Sequence, residues 1–119
     1  MQVVGYYALA AGEVARDEAP SRIVAGTGQY PIPVILLARL GVDHSAQGTG
    51  LGRALVMDAI RRVAGIAEEV GVRALLIHAE NEEARSFYLH LATFEPSPTD
   101  PFHLLLLMKD ARRAINSGA

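Results

Sequence analysis

Hydrophobic positions divide the chain into alternating predicted strands and helices. Residues 3–14 begin with β-branched and aromatic side chains, a pattern typical of a strand. Residues 33–42 form a nearly continuous apolar run, which predicts a central strand buried on both faces. Gly41 interrupts this run and predicts a β-bulge. The residues between the two strands include charges and prolines, which indicate a long connection with at most one helical turn.

A long amphipathic helix is predicted from Leu51 to residue 70. Its apolar residues recur every three or four positions and form one stripe, while charged residues occupy the opposite face. Gly71 follows the last apolar position, as is typical of a helix C-terminus. A second helix is predicted after Asn81, a favoured N-cap residue, with Glu82 and Glu83 in its first turn, where the helix dipole favours acids. The apolar face of this second helix comprises Ala84, Phe87, Tyr88 and Leu91.

Two further strands complete the predicted architecture. Residues 72–79 predict another buried strand, and residues 103–109 predict the last one. Prolines at 96 and 98 indicate a turn before it, and residues 111–119 predict a short helix or a loose tail. The strand, helix and strand within residues 33–79 predict a right-handed βαβ crossover. All 119 residues are expected to form a single domain.

Composition narrows the possible functions. No cysteine is present, which excludes disulfide bonds, thiolate metal ligands and a cysteine nucleophile. His44, His90 and His103 have no spacing that suggests a metal site, so no metal is expected. A net charge of −2 argues against a protein that coats nucleic acid, although not against a local basic patch. The N-terminus has neither a basic segment nor a long apolar run, so we expect a cytoplasmic protein with no membrane association.

The segment QGTGLGRAL, residues 47–55, is the strongest candidate for a binding site. Its glycines lack Cβ atoms where backbone approaches a ligand, and the start of a helix attracts anions, so a phosphate cradle is predicted. A P-loop is disfavoured because Arg53 and Ala54 follow Gly52, where a lysine and a hydroxyl would be needed. A dinucleotide fingerprint is disfavoured by the glycine spacing and the short chain. A purely structural glycine turn remains an alternative.

Gln47, Gly50 and Gly52 also fit the pattern Q-x-x-G-x-G, and here the chain resembles the GNAT superfamily of acetyl-CoA-dependent N-acetyltransferases. Two other segments match that family in order and spacing, RLGVD at residues 39–43 and AENEEARSFYLHLATFEP at residues 79–96. The resemblance implies an α/β fold in which helices flank a mixed central sheet. It also implies acetyl-CoA (coenzyme A) as the cofactor.

The resemblance assigns roles to individual residues. In the family, the glycine loop and the following helix hold the pyrophosphate of coenzyme A, and a strand runs beside the pantetheine arm. Asn81 is expected to cap its helix, to contact the cofactor, or both. Tyr88 is expected to be the acid that protonates the leaving thiolate, with a packed core tyrosine as the alternative. The residues expected to bind the cofactor are Leu40, Gly41, Val42, Gln47, Gly48, Thr49, Gly50, Leu51, Gly52, Arg53 and Asn81.

No strong general base is predicted. Asp43, His78 and Glu80 lie near strand ends on the expected cofactor side, but His78 is expected to be a satisfied core histidine. An α-amino group titrates near neutral pH, at about 7.7–8.0 in reference peptides. An aminoacyl-tRNA acceptor would therefore lessen the need for a base.

Similarity over most of residues 3–110 extends to the toxins of type II toxin–antitoxin pairs, which acetylate aminoacyl-tRNA and block translation. It implies aminoacyl-tRNA as the acceptor and a small ribbon-helix-helix antitoxin as a partner. The family's first strand, two helices and second strand have no counterpart before residue 3, so we expect an N-terminally truncated fold that forms a homodimer. Two alternatives remain: a metabolite or protein N-acetyltransferase, and a truncated, inactive module that binds coenzyme A or an antitoxin.

Overall fold

A mixed sheet of five strands lies at the centre of the protein. The computed structural model describes residues 5–26, 28, 30–42 and 47–118. The strands are β1 (Gly5–Val14), β2 (Ile32–Val42), β3 (Ala74–His78), β4 (Glu95–Pro96) and β5 (His103–Leu107), in the spatial order β1-β2-β3-β5-β4. The helices are α1 (Ser21–Val24), α2 (Leu51–Val70), α3 (Glu82–Leu91) and α4 (Met108–Gly118), and a 3₁₀ turn covers Arg16–Glu18.

The predicted parallel βαβ unit is confirmed. β2 and β3 are parallel neighbours, and α2 connects them, whereas the other strand pairs are antiparallel. α2 begins at Leu51 and ends at Val70, as its apolar stripe predicts. Gly71 follows with a φ of 71°, and its N–H donates to the carbonyl of Ala67. Glycine adopts this left-handed conformation without a Cβ clash, so it ends the helix.

The C-terminal part of the chain departs from the prediction. The last strand ends at Leu107 and not at residue 109, because Met108 already begins α4. α4 continues to Gly118, so the alternative of a short helix is observed in place of the loose tail. The predicted turn around Pro96 contains the two-residue strand β4, which pairs with β5. None of the described helices is long and apolar enough to cross a membrane.

Alternate strand residues cover the two faces of the sheet. On one face, called the α2 face, the helices α2, α3 and α4 pack on the three central strands. On the other face, called the α1 face, Ile23 of α1 packs on Val34 and Leu76, but α1 is short. Burial of each large aliphatic side chain stabilises the folded state by roughly 1.5–3 kcal/mol. The α2 face has more buried apolar residues than the α1 face and therefore contributes more to the hydrophobic stabilisation. The fully buried residues of the α2 face are Val56, Ala59, Ile60, Val63, Leu75, Leu104, Leu106 and Ala111.

Arginines attach α1 to the rest of the fold. The Nε and Nη2 atoms of Arg73 donate to the carbonyl oxygens of Ile23 and Ala25 at 3.0 and 2.8 Å. Arg22 forms ion pairs at 3.0 Å with Asp110 and with Glu95. The Asp110 side chain is only 2% exposed, and a buried carboxylate without a charged partner is costly. Arg22 therefore fixes α1 against the start of α4.

β2 pairs with β3 along only part of its length. Residues 34–37 of β2 pair with residues 74–77 of β3, whereas β2 itself continues to Val42. The register with β1 shifts at Ala38, just where the pairing with β3 ends. The bulge therefore lies at Ala38, and its prediction at Gly41 is wrong. Residues 38–42 face a gap on the side toward β3, here called the β2–β3 opening, whereas residues 39–42 stay paired with β1 on their other side. Backbone groups that point into this opening have no strand partner among the described residues and are available to a ligand. The predicted burial of this strand on both faces is observed only in the first half of β2, since Ala38 is exposed.

Candidate active site

The glycine loop and the start of α2 form an uncapped helix N-terminus. Gly48 and Gly50 have φ angles of 80° and 87°, in a left-handed region that costs other L-residues about 1–2 kcal/mol. Gly50 is the N-cap residue of α2, and no side chain caps the helix. The N–H of Ala54 donates to the Gly50 carbonyl at 3.1 Å, so the N–H groups of residues 51–53 precede the helical ladder. No acidic residue lies in the first turn, which makes this end suited to an anion.

The helix α3 begins differently, because its own side chains satisfy its N-terminus. The Oδ1 atom of Asn81 accepts the N–H of Ala84 at 2.9 Å, so the predicted N-cap is confirmed. Glu82 and Glu83 occupy the first turn and would repel an anion. α2 is therefore the better anion site of the two helices. A contact between Asn81 and a cofactor stays a prediction.

The β2–β3 opening contains the strand residues to which the family resemblance assigns a cofactor contact. Leu40, Gly41 and Val42 all lie beyond the last β2–β3 pair. Tyr6 is the cross-strand partner of Gly41, and its ring lies where a Cβ atom of residue 41 would be. Glycine at position 41 therefore permits this close packing of an aromatic ring over β2.

The remaining predicted cofactor residues lie on the loop and in the first turn of α2. Gln47 and Thr49 are exposed. Arg53 is also exposed, and it borders a groove of about 590 Å³ that continues past Glu83 and Phe87 on α3. From this position a guanidinium can form a charge-assisted hydrogen bond to a phosphate at the helix start. Asp43 lies outside the described residues.

Tyr88 combines a buried ring with an accessible hydroxyl. The residue is 7% exposed, and its ring centroid lies 5.4 Å from that of Phe87 and 6.2 Å from that of Phe94. The Tyr88 hydroxyl has no hydrogen-bond partner among the described residues. Every buried side-chain polar atom among those residues does have one, so the Tyr88 hydroxyl itself is not buried and reaches accessible space. Burial, with a smaller contribution from Glu80, raises the pKa of the phenol. Tyr88 therefore carries its proton at neutral pH, as an acid must.

Phe87 does not share the burial predicted for its helix face. Its side chain is 37% exposed, whereas that of its neighbour Tyr88 is buried. The buried stripe of α3 is thus narrower than the sequence indicates, because only one of the two adjacent rings can point into the core.

His78 is not the core histidine that the sequence predicts. It is exposed on the α1 face, where its ring stacks on that of His103 with centroids 3.9 Å apart and an interplanar angle of 13°. Two positive charges at about 4 Å would repel by roughly 1 kcal/mol in water and roughly 4 kcal/mol at an effective dielectric of 20. The Nε2 atom of His103 lies 3.3 Å from Asp100 Oδ2, so Asp100 holds the His103 ring in place. Desolvation, followed by the charge of His103, lowers the pKa of His78.

The orientation of His78 follows from strand alternation, since Leu75 and Ile77 occupy the α2 face and His78 must therefore occupy the other. The stack with His103 depends on the antiparallel register of β3 and β5, which places the two residues opposite each other. Nothing in the local sequence specifies that register.

Comparison with known proteins agrees with this geometry. A protein-family model described as an acetyltransferase (GNAT) domain matches residues 2–91. The chain therefore belongs to the GNAT acetyltransferases, and the predicted fold class is confirmed.

Its relatives include bacterial toxins. A tRNA-acetylating toxin of Mycobacterium tuberculosis (strain ATCC 25618 / H37Rv) is 55% identical over 114 residues, which make up 96% of this chain and 68% of the toxin. The solved structure of AtaT complexed with acetyl-methionyl-tRNAfMet matches with a TM-score of 0.83 and 33% identity, over 94% of this chain and 66% of that chain. A mutant of the AtaT toxin bound to acetyl-CoA and to the C-terminus of the antitoxin AtaR matches with a TM-score of 0.77 and 29% identity. This match covers 98% of this chain and 67% of the mutant toxin. This chain spans about two thirds of the length of these relatives.

Proposed function

We propose that the protein is an N-acetyltransferase that moves the acetyl group of acetyl-CoA to the α-amino group of aminoacyl-tRNA, and that it acts as a translation-blocking toxin. The observation that carries the proposal is the uncapped start of α2 beside the β2–β3 opening. The choice of acceptor is supported by the tRNA-acetylating toxin, which matches 96% of this chain.

The residues present fit acetyl-CoA. The free N–H groups of residues 51–53 and the guanidinium of Arg53 suit the pyrophosphate, because both supply positive potential at one point. The pantetheine arm carries amide groups, and those backbone groups of residues 38–42 that face the opening can exchange hydrogen bonds with them as a neighbouring strand would. The thioester then lies in the β2–β3 opening.

The transfer needs two groups from the chain. As the amine nitrogen attacks the thioester carbon, negative charge develops on the carbonyl oxygen, and a backbone N–H of Leu40 or Val42 stabilises it. When the carbon–sulfur bond breaks, the Tyr88 hydroxyl gives its proton to the thiolate. The raised pKa of Tyr88 favours this role, because the phenol remains protonated over the physiological range.

Three further expectations belong to this proposal. A small ribbon-helix-helix antitoxin is the expected partner, and it is supported by the complex of AtaT with the antitoxin AtaR. The expected location is the cytoplasm, where aminoacyl-tRNA is used. A homodimer is expected because β1, at one edge of the described sheet, has an outer side with no strand partner.

The proposal is tested with purified protein and radiolabelled acetyl-CoA. The acceptors are aminoacyl-tRNA, the same tRNA without its amino acid, the free amino acid and a lysine-containing peptide. We expect label on aminoacyl-tRNA alone, and no transfer by the double variant Gly50→Asp and Gly52→Asp, because bulk and negative charge both oppose a phosphate. Faster labelling of the free amino acid or of the peptide would instead establish a metabolite or protein acetyltransferase. Acetyl-CoA binding with no transfer to any acceptor would establish a binding module.

A further inference from the structure

A second cavity lies on the α1 face, on the opposite side of the sheet from α2. Its volume is about 280 Å³. Its floor is apolar and comes from the three central strands, whereas its rim carries ionisable side chains. The floor consists of Val34, Leu36, Leu76 and Leu105, and the rim includes Glu13, Glu18, His78 and His103.

His78 occupies the point at which the cavity meets the β2–β3 opening. It directly follows Ile77, the last residue of β3 that pairs with β2. The ring of Tyr88 packs among the core residues of the α2 face, and α2 itself covers that face. An acyl group held in the opening would therefore have Tyr88 on its α2 side and His78 on its α1 side. An amine that attacks it from the open side must approach across the cavity.

The imidazole of His78 is neutral at pH 7 and can therefore accept a proton. Its ring stacks on that of His103, and His103 is the imidazole that lies against Asp100. The charged or titratable groups around it are His103 and Asp100 on the β5 side, Glu13 on β1 and Glu18 in the 3₁₀ turn. Burial and the neighbouring His103 lower the pKa of His78, so it is neutral at pH 7. An imidazole also lies closer in pKa to an α-ammonium group than a carboxylate does, which favours proton transfer between them.

We propose that His78 is the proton acceptor for the acceptor amine, and that the cavity on the α1 face is the side from which the amine arrives. The inference rests on the proposed acetyl transfer and adds a residue to it. The amine nitrogen forms a bond to the thioester carbon and passes one proton to an imidazole nitrogen of His78. The carbon–sulfur bond breaks, and Tyr88 protonates the sulfur. His103, held by Asp100, keeps the His78 ring in place.

The test compares His78→Ala and His78→Gln with His90→Ala. His90 is an exposed histidine on α3 whose ring nitrogen contacts the Ser86 carbonyl of its own helix at 2.7 Å. Transfer to aminoacyl-tRNA is measured at saturating acetyl-CoA from pH 5.5 to 9, with and without added imidazole. We expect a loss of about 10²-fold in His78→Ala and His78→Gln at neutral pH, within the usual range for one general base, and no loss in His90→Ala. Imidazole should restore the rate of His78→Ala, whose cavity has room for it, and should not restore that of His78→Gln.

Acetyl-CoA affinity, measured by titration calorimetry, should be the same in all four proteins, because His78 lies on the far side of the sheet from the phosphate site. Wild-type transfer that persists in His78→Ala within about 3-fold would overturn this inference and leave the proposed function standing. A loss that imidazole does not restore would overturn it too, because the role would then be structural. A wild-type chain that transfers no acetyl group would overturn the proposed function, and this inference with it.

Discussion

Replacing Tyr88 by phenylalanine should separate catalysis from stability. The ring is held by Phe87 and Phe94, and these contacts do not involve the hydroxyl. The hydroxyl has no hydrogen-bond partner among the described residues, so its removal should change the free energy of unfolding by less than about 1 kcal/mol. Loss of one general acid slows a reaction by about 10²–10⁴-fold, equivalent to roughly 3–5 kcal/mol in the activation free energy. The increase in the activation free energy of transfer should therefore be several times larger than the change in the free energy of unfolding.

The assay combines transfer kinetics with urea denaturation, and Tyr7→Phe is the matched control. The Tyr7 hydroxyl donates a hydrogen bond to Asp58 on α2, and Arg62 lies 5.7 Å from the centre of the Tyr7 ring. Removing this hydroxyl should cost about 1 kcal/mol of stability and leave the turnover number unchanged, the reverse of the expected Tyr88 result. A Tyr88→Phe protein that folds, binds acetyl-CoA and transfers acetyl at the wild-type rate would refute the assignment. A variant that unfolds would show that the tyrosine is structural.

Three other properties can be measured. Asn81→Ala should lower the free energy of unfolding by about 1 kcal/mol and Asn81→Asp should not, because only the alanine loses the acceptor for the Ala84 N–H; equal denaturation midpoints would contradict the cap. Light scattering should detect a dimer at micromolar concentration, since β1 is an edge strand of the described sheet and Tyr6 is 53% exposed; a stable monomer would exclude that assembly. His78 has a lowered pKa, so the neutral form stabilises the fold above pH 6.5 and that stabilisation is lost as the pH falls below it; His78→Gln should flatten this part of the stability profile, and an unchanged slope would count against the shift.

The local sequence predicted those features whose causes are local. The bounds of α2 follow from its apolar stripe and from glycines that adopt positive φ at both ends. The cap at Asn81 is equally local, because the acceptor and donor are three residues apart. For the same reason the glycine loop is visible in the sequence as a candidate anion site.

Features that depend on strand register could not be predicted in this way. The bulge occurs at Ala38, where β1 and β2 change their pairing, and no residue type marks that position. The stack of His78 on His103 exists because β3 and β5 place the two residues opposite each other, although they lie far apart in the sequence. The end of β5 is not evident from the sequence either, since Leu107 and Met108 are both apolar and hydropathy alone does not distinguish a strand from the helix that follows it.

The incomplete pairing of β2 has a thermodynamic consequence. Beyond Leu37, the side of β2 that faces β3 has no strand partner among the described residues, and a ligand with strand-like amides can take that place. A ligand that binds the native state alone stabilises it by RT ln(1 + [L]/Kd), which is about 2.7 kcal/mol at a concentration 100 times Kd. For a fold of this size that is a large share of the total stability. We therefore expect the lifetime of the protein in the cell to follow the concentration of acetyl-CoA. A high concentration would stabilise the native state against proteolysis, and a low concentration during starvation would make the protein more susceptible to it.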